Sequence, residues 1–233
     1  MTRHQKHRGG LAPDKYLSDE EFDTLIAYVR QQGDIARQRG SRRAVVNQMI
    51  IETLLFTGMR AEELCSLQVR DLPLSHGKDV VYVRRGKGNV SRTIEISSDF
   101  AQKLTSFVKD YRKNAKPGSA VFVNERGYRK LGWQTQRPAK SDGHVIEENR
   151  SEHSSRLIYH SVYVRVRGIG KKAGLRRLTP HMLRHTYCTR LYNVTKDLLF
   201  VKDQAGHSNV ATTAIYAVTS STERRRQVEA LYY

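Results

Sequence analysis

A chain of 233 residues is long enough for one large domain or two small ones. Lysine and arginine number 41 against 23 aspartate and glutamate, which gives a formal net charge of +18. Such an excess is typical of proteins that bind nucleic acid or an anionic membrane surface. No stretch approaches the roughly 18 apolar residues of a membrane span, and the basic first residues lack the apolar core of a signal peptide. We therefore expect a cytoplasmic protein that is not embedded in a membrane, with its two cysteines as buried thiols.

The first part of the chain predicts two helices behind a basic, glycine-rich tail at residues 1–13. A serine followed three residues later by a glutamate predicts a capped amphipathic helix over 18–32. The polar segment 34–40 is predicted to be a linker. A strongly apolar helix is expected over 41–57, and Gly58 is well placed to end it.

An arginine stands at the beginning of the next predicted helix, in the sequence TGMRAEEL. Arg60 follows a glycine turn, so its guanidinium and the free amides of the helix N-terminus can face one anion together. Glu63 lies three residues further on and can accept a hydrogen bond from that guanidinium. The alternative interpretation is an ordinary surface ion pair.

A β-hairpin is predicted at residues 79–96, where apolar and polar residues alternate on either side of the sequence GKGN. Its tip carries Lys87. A lysine at a hairpin tip is commonly a solvated charge, so this position alone is weak support for a functional role.

The middle of the chain predicts a helix at 98–113 and a short extended segment at 120–124. Residues 125–155 are polar and interrupted by glycine and proline, which is typical of a long loop that is functional or disordered. A basic helix at 156–173 leads into the cationic run RGIGKKAGLRRL. That run is compatible with a solvated face or with a face that contacts phosphates.

The helix that follows carries two candidate functional side chains. Thr179 is suited to the N-cap and Pro180 to the first helical position. His181 and Arg184 are three residues apart on this helix, so they project from neighbouring places on one face. Imidazole can move protons, and a guanidinium offers a bidentate fork to phosphate oxygens.

Two more candidates follow within a short distance. His207 stands in the sequence AGHSN, and Tyr216 follows nine residues later. A phenol can attack a phosphodiester, so this set of side chains suits phosphoryl chemistry. Thr195 is expected to cap the intervening helix, and Asn209 to cap a short helix that bears Tyr216. A last helix is expected at 222–233, packed on its own domain or on a neighbouring protomer.

The sequences TGMRAEEL and HMLRH, with AGHSN and the tyrosine beyond it, resemble the two signature blocks of the tyrosine recombinases, also called the phage integrase family. The resemblance covers roughly residues 41–220, most of the chain. It implies a catalytic set of Arg60, Lys87, His181, Arg184, His207 and Tyr216, with Glu63 as a supporting acidic residue. In that family a lysine of this hairpin enters the active site, and Lys87 occupies the matching place.

The resemblance also implies a fold and an activity. The expected fold is mainly α with a small antiparallel β-sheet (α+β), the tyrosine recombinase catalytic domain, over residues 14–233 with an insertion at 125–155. The expected activity is site-specific cutting and rejoining of DNA through a 3′-phosphotyrosyl intermediate, without metal or cofactor. The expected partners are double-stranded DNA and further copies of this chain, as a dimer or tetramer on DNA.

Most members of the family carry an N-terminal domain of about 100 residues that clamps DNA, whereas only about 40 residues precede the first strongly apolar predicted helix here. We therefore expect a catalytic-domain fragment of a longer protein rather than a naturally minimal enzyme. The resemblance implies that both site arginines hold the phosphate while His207 donates to it and Tyr216 attacks. His181 is then expected to be the general base, Lys87 the general acid, and the cationic surroundings are expected to ease ionisation of Tyr216.

Three other functions deserve comparison. A type IB topoisomerase shares the fold and much of the chemistry, but the HMLRH and AGHSN blocks are of the recombinase type. A DNA-binding regulator with an inactive site is hard to reconcile with six intact catalytic positions. A metal-dependent nuclease would need an acidic cluster that the sequence lacks.

Overall fold

The computed structural model describes residues 13–75, 77–84, 91–124, 156–207 and 209–216. Several predicted features lie outside these residues, namely most of the basic tail, the hairpin tip with Lys87, the segment 125–155 and the terminal helix at 222–233.

Within the described residues the fold is mainly helical with one small antiparallel sheet, as predicted. The helices are α1 (Asp19–Gln38), α2 (Arg43–Thr57), α3 (Ala61–Ser66), α4 (Ser98–Tyr111), α5 (Tyr159–Lys172), α6 (Pro180–Thr195), α7 (Leu198–Ala205) and α8 (Val210–Ala214). The strands are β1 (Val80–Val83) and β2 (Arg92–Glu95), and short 3₁₀ turns lie at Pro13–Lys15, Val69–Asp71 and Pro73–Ser75. In this part of the chain no helix combines the length and apolarity needed to cross a bilayer.

The first helix is longer than predicted. Ser18 caps α1 by the expected reciprocal hydrogen bonds with Glu21. The helix then continues to Gln38, so the segment predicted as a linker is largely helical. Val29, Gly33 and Ala36 are all buried and continue one stripe at helical spacing. Because this stripe packs against α2, tertiary contact sustains the helix through a stretch whose composition suggested a break.

Helix α2 forms the centre of the core and packs against both α1 and α6. Its buried residues occur on nearly every side, which explains why it is so apolar. Gly58 ends it in the left-handed conformation, with φ at +59°. A Cβ atom there would lie 2.2 Å from the ring of Tyr187 on α6, so glycine is required by both the turn and the close approach.

A buried carboxylate on α2 joins three elements. Glu52 is fully buried and accepts hydrogen bonds from Arg30 (3.2 Å), Gln48 (3.0 Å) and Lys103 (2.7 Å). Replacing Glu52 with alanine should lower the free energy of unfolding by about 3 kcal/mol, because Arg30 and Lys103 lose their buried partner. The loss should not be larger, since both cations still reach solvent. Urea unfolding should show this loss, whereas Glu20→Ala, at an exposed site on α1, should change little. Equal midpoints for the two variants would contradict the predicted role of this network.

The two arms of the predicted hairpin form the sheet. Strands β1 and β2 pair antiparallel, with Val81 opposite Ile94 and Val83 opposite Arg92. This confirms the predicted pairing of the two arms. The segment 120–124 forms isolated bridges through Ala120 to Gln68 and through Val123 to Arg156, with bends between them, rather than a regular strand.

Two details near the carboxyl end differ from the prediction. The N-cap of α7 is Asp197, whose carboxylate accepts from the amides of Leu199 and Phe200. Thr195 instead ends α6, and its hydroxyl donates to the Leu191 carbonyl. A carboxylate satisfies two free amides of the new helix, which a threonine further back along the chain does not reach. Asn209 caps α8 as predicted.

Candidate active site

Arg60 lies at the N-cap of α3, as the sequence predicted. Its guanidinium donates from Nη1 to Glu63 Oε1 at 3.0 Å, and its backbone amide donates to Glu63 Oε2 at 2.8 Å. About a quarter of the Arg60 side chain is exposed, whereas Glu63 is buried. Glu63 therefore fixes the orientation of an arginine that still reaches solvent.

Arg184 is the deeper of the two predicted arginines and is 3% exposed. Its Nη1 donates to the Gly58 carbonyl at 2.6 Å and its Nη2 to the Ala205 carbonyl at 2.7 Å. The first carbonyl belongs to the turn before Arg60, and the second ends α7. Arg184 therefore joins the two signature segments, which are far apart in sequence.

The C-terminal end of α7 receives three guanidiniums on three consecutive carbonyls. Gln204 O accepts from Arg92 Nε at 2.9 Å, Ala205 O from Arg184, and Gly206 O from Arg60 Nη2 at 3.5 Å. Carbonyls at the end of a helix lack partners within the helix and carry its partial negative charge, so cations are favoured there. This arrangement concentrates positive charge in one small region, as an anion-binding site requires.

Arg92 was not among the residues predicted from the sequence. It begins β2 and forms a bidentate salt bridge with Glu63, in which Nη1 donates to Oε1 at 2.9 Å and Nη2 donates to Oε2 at 2.8 Å. Burial alone would raise the pKa of Glu63, but the hydrogen bonds and charge of Arg92, with those of Arg60, hold it below its usual value. Glu63 is therefore a permanent anion that organises two arginines. No local pattern indicated Arg92, because its partners lie on other elements.

Tyr216 lies two residues beyond the end of α8, rather than on the helix as predicted. Its side chain is buried among Cys188, Val201 and Ala205. The phenolic oxygen is 2.6 Å from Nδ1 of His185. The prediction from the sequence was that His181, one turn earlier on α6, is the base.

His185 lies between His181 and the phenol of Tyr216. Its ring meets the ring of His185 edge-on, with centroids 4.3 Å apart, and His185 in turn contacts Tyr216. His207 stacks almost parallel to the Tyr216 ring at 6.2 Å between centroids, and its Nδ1 is 3.0 Å from Thr213 Oγ1. Three imidazoles and one phenol thus form a contiguous group beside the arginines.

Burial governs the protonation of this group. Burial, and to a lesser extent Cys188, raises the pKa of Tyr216, and the charge of Arg184 offsets only part of the effect. The charge of Arg184 eases ionisation of this phenol as expected, but desolvation of the phenolate outweighs that attraction, so the net effect is a raised pKa of Tyr216. Burial, His181, Arg184 and Lys15 lower the pKa of His185 to about 4. His185 is consequently neutral near pH 7 and can accept a proton at Nδ1 when Nε2 carries the other.

The lowered histidine pKa values predict a loss of stability in mild acid. Burial and the nearby arginines lower the pKa of His207 to about 4 as well. Between that value and the ordinary value of 6.5, the unfolded chain binds more protons than the folded chain, so protonation favours unfolding. Stability should therefore be fully present above pH 6.5 and fall as the pH drops towards 4.

Thermal unfolding measured from pH 7.5 down to pH 4.5 should show this loss, with the approximate window set by the ordinary histidine pKa. A double variant, His185→Gln with His207→Gln, should show a smaller fall over the same range. His160→Gln, at an exposed histidine on α5, should keep the wild-type slope. An unchanged slope in the double variant would contradict the assignment to these two imidazoles.

The described residues thus bring together five of the six predicted catalytic side chains and Glu63, while Lys87 lies outside them. Both cysteines are free, Cys188 buried beside Tyr216 and Cys65 half-buried. Among the residues that the structure describes, no three histidine, cysteine or acidic side chains form a group suited to a metal ion.

Comparison with known proteins identifies the family. The family model described as the phage integrase family matches residues 15–223. The chain belongs to this family. It is 31% identical over 217 residues to the tyrosine recombinase XerC of Bacillus pumilus, a match that covers 91% of the chain and 59% of the relative. It is 28% identical over 216 residues to the tyrosine recombinase XerA of Pyrococcus furiosus, covering 92% and 61%.

Solved structures confirm the fold of this phage integrase family member. The crystal structure of XerA recombinase matches with a TM-score of 0.64 and 25% identity, over 92% of this chain and 64% of that one. XerH site-specific recombinase bound to difH substrate matches with a TM-score of 0.62 and 23% identity, over 96% and 54%. The expected catalytic-domain fold is confirmed. The chain spans about three fifths of the length of the curated relatives that it matches.

Proposed function

We propose that this chain cuts and rejoins double-stranded DNA at specific sites, with Tyr216 as the nucleophile and a 3′-phosphotyrosyl intermediate. The observation that carries the proposal is the contact between the Tyr216 hydroxyl and His185, beside a cluster of arginines on the end of α7. The named relatives are tyrosine recombinases, and XerH has been crystallised on a DNA substrate. These names support the same activity for this chain.

The chemistry is a transesterification that conserves one phosphodiester bond. The Tyr216 oxygen forms a bond to the DNA phosphorus while the bond from phosphorus to the 5′-oxygen breaks. Arg60 and Arg184 stabilise the negative charge that grows on the non-bridging oxygens, and His207 donates a further hydrogen bond to them. Attack by a 5′-hydroxyl on the phosphotyrosine then reverses the step and restores the phenol.

The geometry favours His185 as the first proton acceptor from the phenol. The raised pKa of Tyr216 means that the phenol is protonated at neutral pH, so its proton must leave as the new bond forms. His185 Nδ1 lies in hydrogen-bond distance, whereas His181 contacts the His185 ring. His181 then acts through His185 rather than on the phenol. Lys87 keeps the role that the family resemblance implies, as the acid that protonates the departing 5′-oxygen.

The full reaction involves more than one protomer. A recombinase exchanges strands between two duplexes, so we propose that copies of this chain assemble on DNA as a dimer or tetramer. The cytoplasm is the proposed location. The candidate residues for catalysis are those of the site described above, together with Lys87.

Trapping on nicked duplexes tests this proposal. Each duplex in a pool of varied sequence would carry a nick so placed that cleavage releases a short fragment and blocks rejoining. The expected product is a covalent adduct with a free 5′-hydroxyl on the released fragment, formed in the presence of EDTA. His185→Gln should slow adduct formation more than His181→Gln does, and the reverse order would overturn the role given to His185.

The other outcomes separate the competing functions. A free 3′-phosphate without adduct, or activity that EDTA abolishes, would indicate a nuclease. Relaxation of supercoiled DNA by a monomer without transfer to a second duplex would indicate a type IB topoisomerase. Binding without any cleavage would indicate a regulator.

The excess of positive charge predicts a steep dependence of DNA binding on salt. If the interface contains about six to ten phosphate contacts, raising salt from about 50 to about 200 mM should weaken binding by roughly 10³- to 10⁵-fold through counterion release. Fluorescence anisotropy with a labelled duplex at several salt concentrations would measure the slope. A flat response would contradict an interface dominated by phosphates.

A further inference from the structure

We propose that Arg92 is a positioning residue of this site, which holds Arg60 and the segment 204–207 in one fixed arrangement by way of Glu63. The role rests on the proposed function, because it concerns the same arginine cluster. Arg92 is the first residue of β2, and its partners lie 29 and 112 residues away in sequence. It therefore ties the sheet to both signature segments.

The contacts of Glu63 are complete only when Arg92 is present. Oε1 accepts from Arg60 Nη1 and Arg92 Nη1, while Oε2 accepts from the Arg60 amide and Arg92 Nη2. Four donors match the roughly four lone-pair sites of a carboxylate. Two of the four come from Arg92, so its removal leaves a buried anion half satisfied.

Exposure separates the role of Arg92 from that of Arg60. The Arg92 side chain is 10% exposed, against 26% for Arg60. Nε, Nη1 and Nη2 of Arg92 all donate to protein atoms at 2.8–2.9 Å. Arg60 Nη2, in contrast, has only a long contact of 3.5 Å with Gly206 O. Arg60 therefore has donor capacity for an anion, and Arg184, although more buried, uses only Nη1 and Nη2 for protein carbonyls, whereas all three nitrogens of Arg92 donate to protein atoms.

The segment after α7 is shaped around Arg92. Gly206 has φ at +68°, and a Cβ atom there would lie 2.8 Å from Arg92 Cδ and Nη1. A second tie lies three residues along β2, where the Glu95 amide donates to Gln204 Oε1 at 3.0 Å. Two attachments hold the strand against the end of the helix, and His207 follows directly.

Charge explains why the position of Arg60 depends on this frame. Glu63 faces two guanidiniums, so neither neutralises it alone. Without Arg92, the whole carboxylate would be available to Arg60, which could then form a bidentate pair of its own. That pairing would withdraw donors from the phosphate, and the end of α7 would lose one of its three cations.

The test compares Arg92→Gln and Arg92→Lys with Arg112→Gln in the full chain. Arg112 is also a buried arginine, and it donates to the Ala120 carbonyl, away from these contacts. The first measurement is the rate of adduct formation on the nicked duplexes, which is compared with the DNA affinity of the same variant. The other is hydrogen exchange at the amides of Arg60 and His207, which needs no DNA.

We expect Arg92→Gln to slow adduct formation by about 10²-fold, comparable to the loss of one transition-state donor. DNA affinity should stay within about threefold, since many other cations contact phosphates. Exchange at the Arg60 and His207 amides should become at least about tenfold faster. Arg92→Lys should fall in between, because it keeps the charge but lacks the planar fork. Arg112→Gln should change neither the rate nor those two amides.

Three results would overturn the role. These are unchanged exchange at both amides, faster exchange with an unchanged rate, and an equal loss of rate in Arg112→Gln. Absence of an adduct in the wild-type chain would instead count against the proposed function. The exchange measurements would then decide by themselves whether Arg92 holds Arg60 in place.

Discussion

Replacing Tyr216 with phenylalanine should abolish the covalent DNA adduct, by more than about 10⁴-fold, as removal of a covalent nucleophile typically does. The variant keeps the aromatic ring that packs on Cys188 and beside His207, and loses only the hydroxyl. DNA affinity should be nearly unchanged, because the arginines remain. Adduct formation on denaturing gels and binding by anisotropy would measure the two effects separately.

The tyrosine substitution also has a structural cost that needs a control. The hydroxyl is the partner of His185 Nδ1, so its loss leaves a half-buried imidazole nitrogen without that contact and should cost about 1 kcal/mol of stability. Tyr192→Phe removes a hydroxyl from a ring that packs against the same cluster. That control should form adduct at the wild-type rate. Adduct formation by Tyr216→Phe at a rate near that of wild type would show that another residue is the nucleophile.

Replacing Arg184 with alanine should slow adduct formation by about 10³- to 10⁵-fold, the range found for arginines that stabilise a transferring phosphoryl group. DNA affinity should fall much less, because the chain carries many other cations. The variant should also lose stability, since the Gly58 and Ala205 carbonyls lose their donor at a cost of about 1–3 kcal/mol each.

Arg184→Lys separates charge from geometry. A lysine keeps the positive charge but cannot donate two parallel hydrogen bonds to a phosphate as a planar guanidinium can. The rate of adduct formation should therefore remain far below that of wild type. Arg190→Ala serves as the control on the same helix, because Arg190 pairs with Asp19 instead. Equal losses of affinity and rate in Arg184→Ala would contradict an effect exerted mainly on the transition state.

The local elements of this fold were largely predictable, because short-range chemistry specifies them. Ser18, Thr179 and Asn209 cap their helices as expected, and Gly58 ends α2 in the predicted left-handed turn. The arms of the hairpin pair as their alternation indicated. The caps and the turn depend on residues within a few positions of one another, and the hairpin arms belong to one short segment of the chain.

Features that depend on contacts between distant segments were missed. The extension of α1 through Gly33 is maintained by packing on α2, which composition does not reveal. Arg92 has no signal of its own in the sequence, since a strand arginine is ordinarily a solvated charge. Its importance arises only when folding brings Glu63 and the end of α7 beside it.

The candidate site shows the same division. The first signature block indicated Glu63 correctly as the partner of Arg60, because the two lie three residues apart, whereas the approach of Arg184 to the same segment was implied only by the family resemblance. The partner of the Tyr216 hydroxyl was not predictable, since His181 and His185 lie one turn apart on α6 and either could face the phenol. Burial of the tyrosine, which raises its pKa, likewise depends on the packing of α6 against α7.

Covalent trapping followed by peptide mapping tests the central claim most directly. The wild-type chain would be incubated with the nicked duplex pool in EDTA, digested with protease, and the DNA-linked peptide identified by mass spectrometry. We predict a single linkage, from Tyr216 to a 3′-phosphate. A linkage at any other residue, or to a 5′-phosphate, would contradict the proposed mechanism.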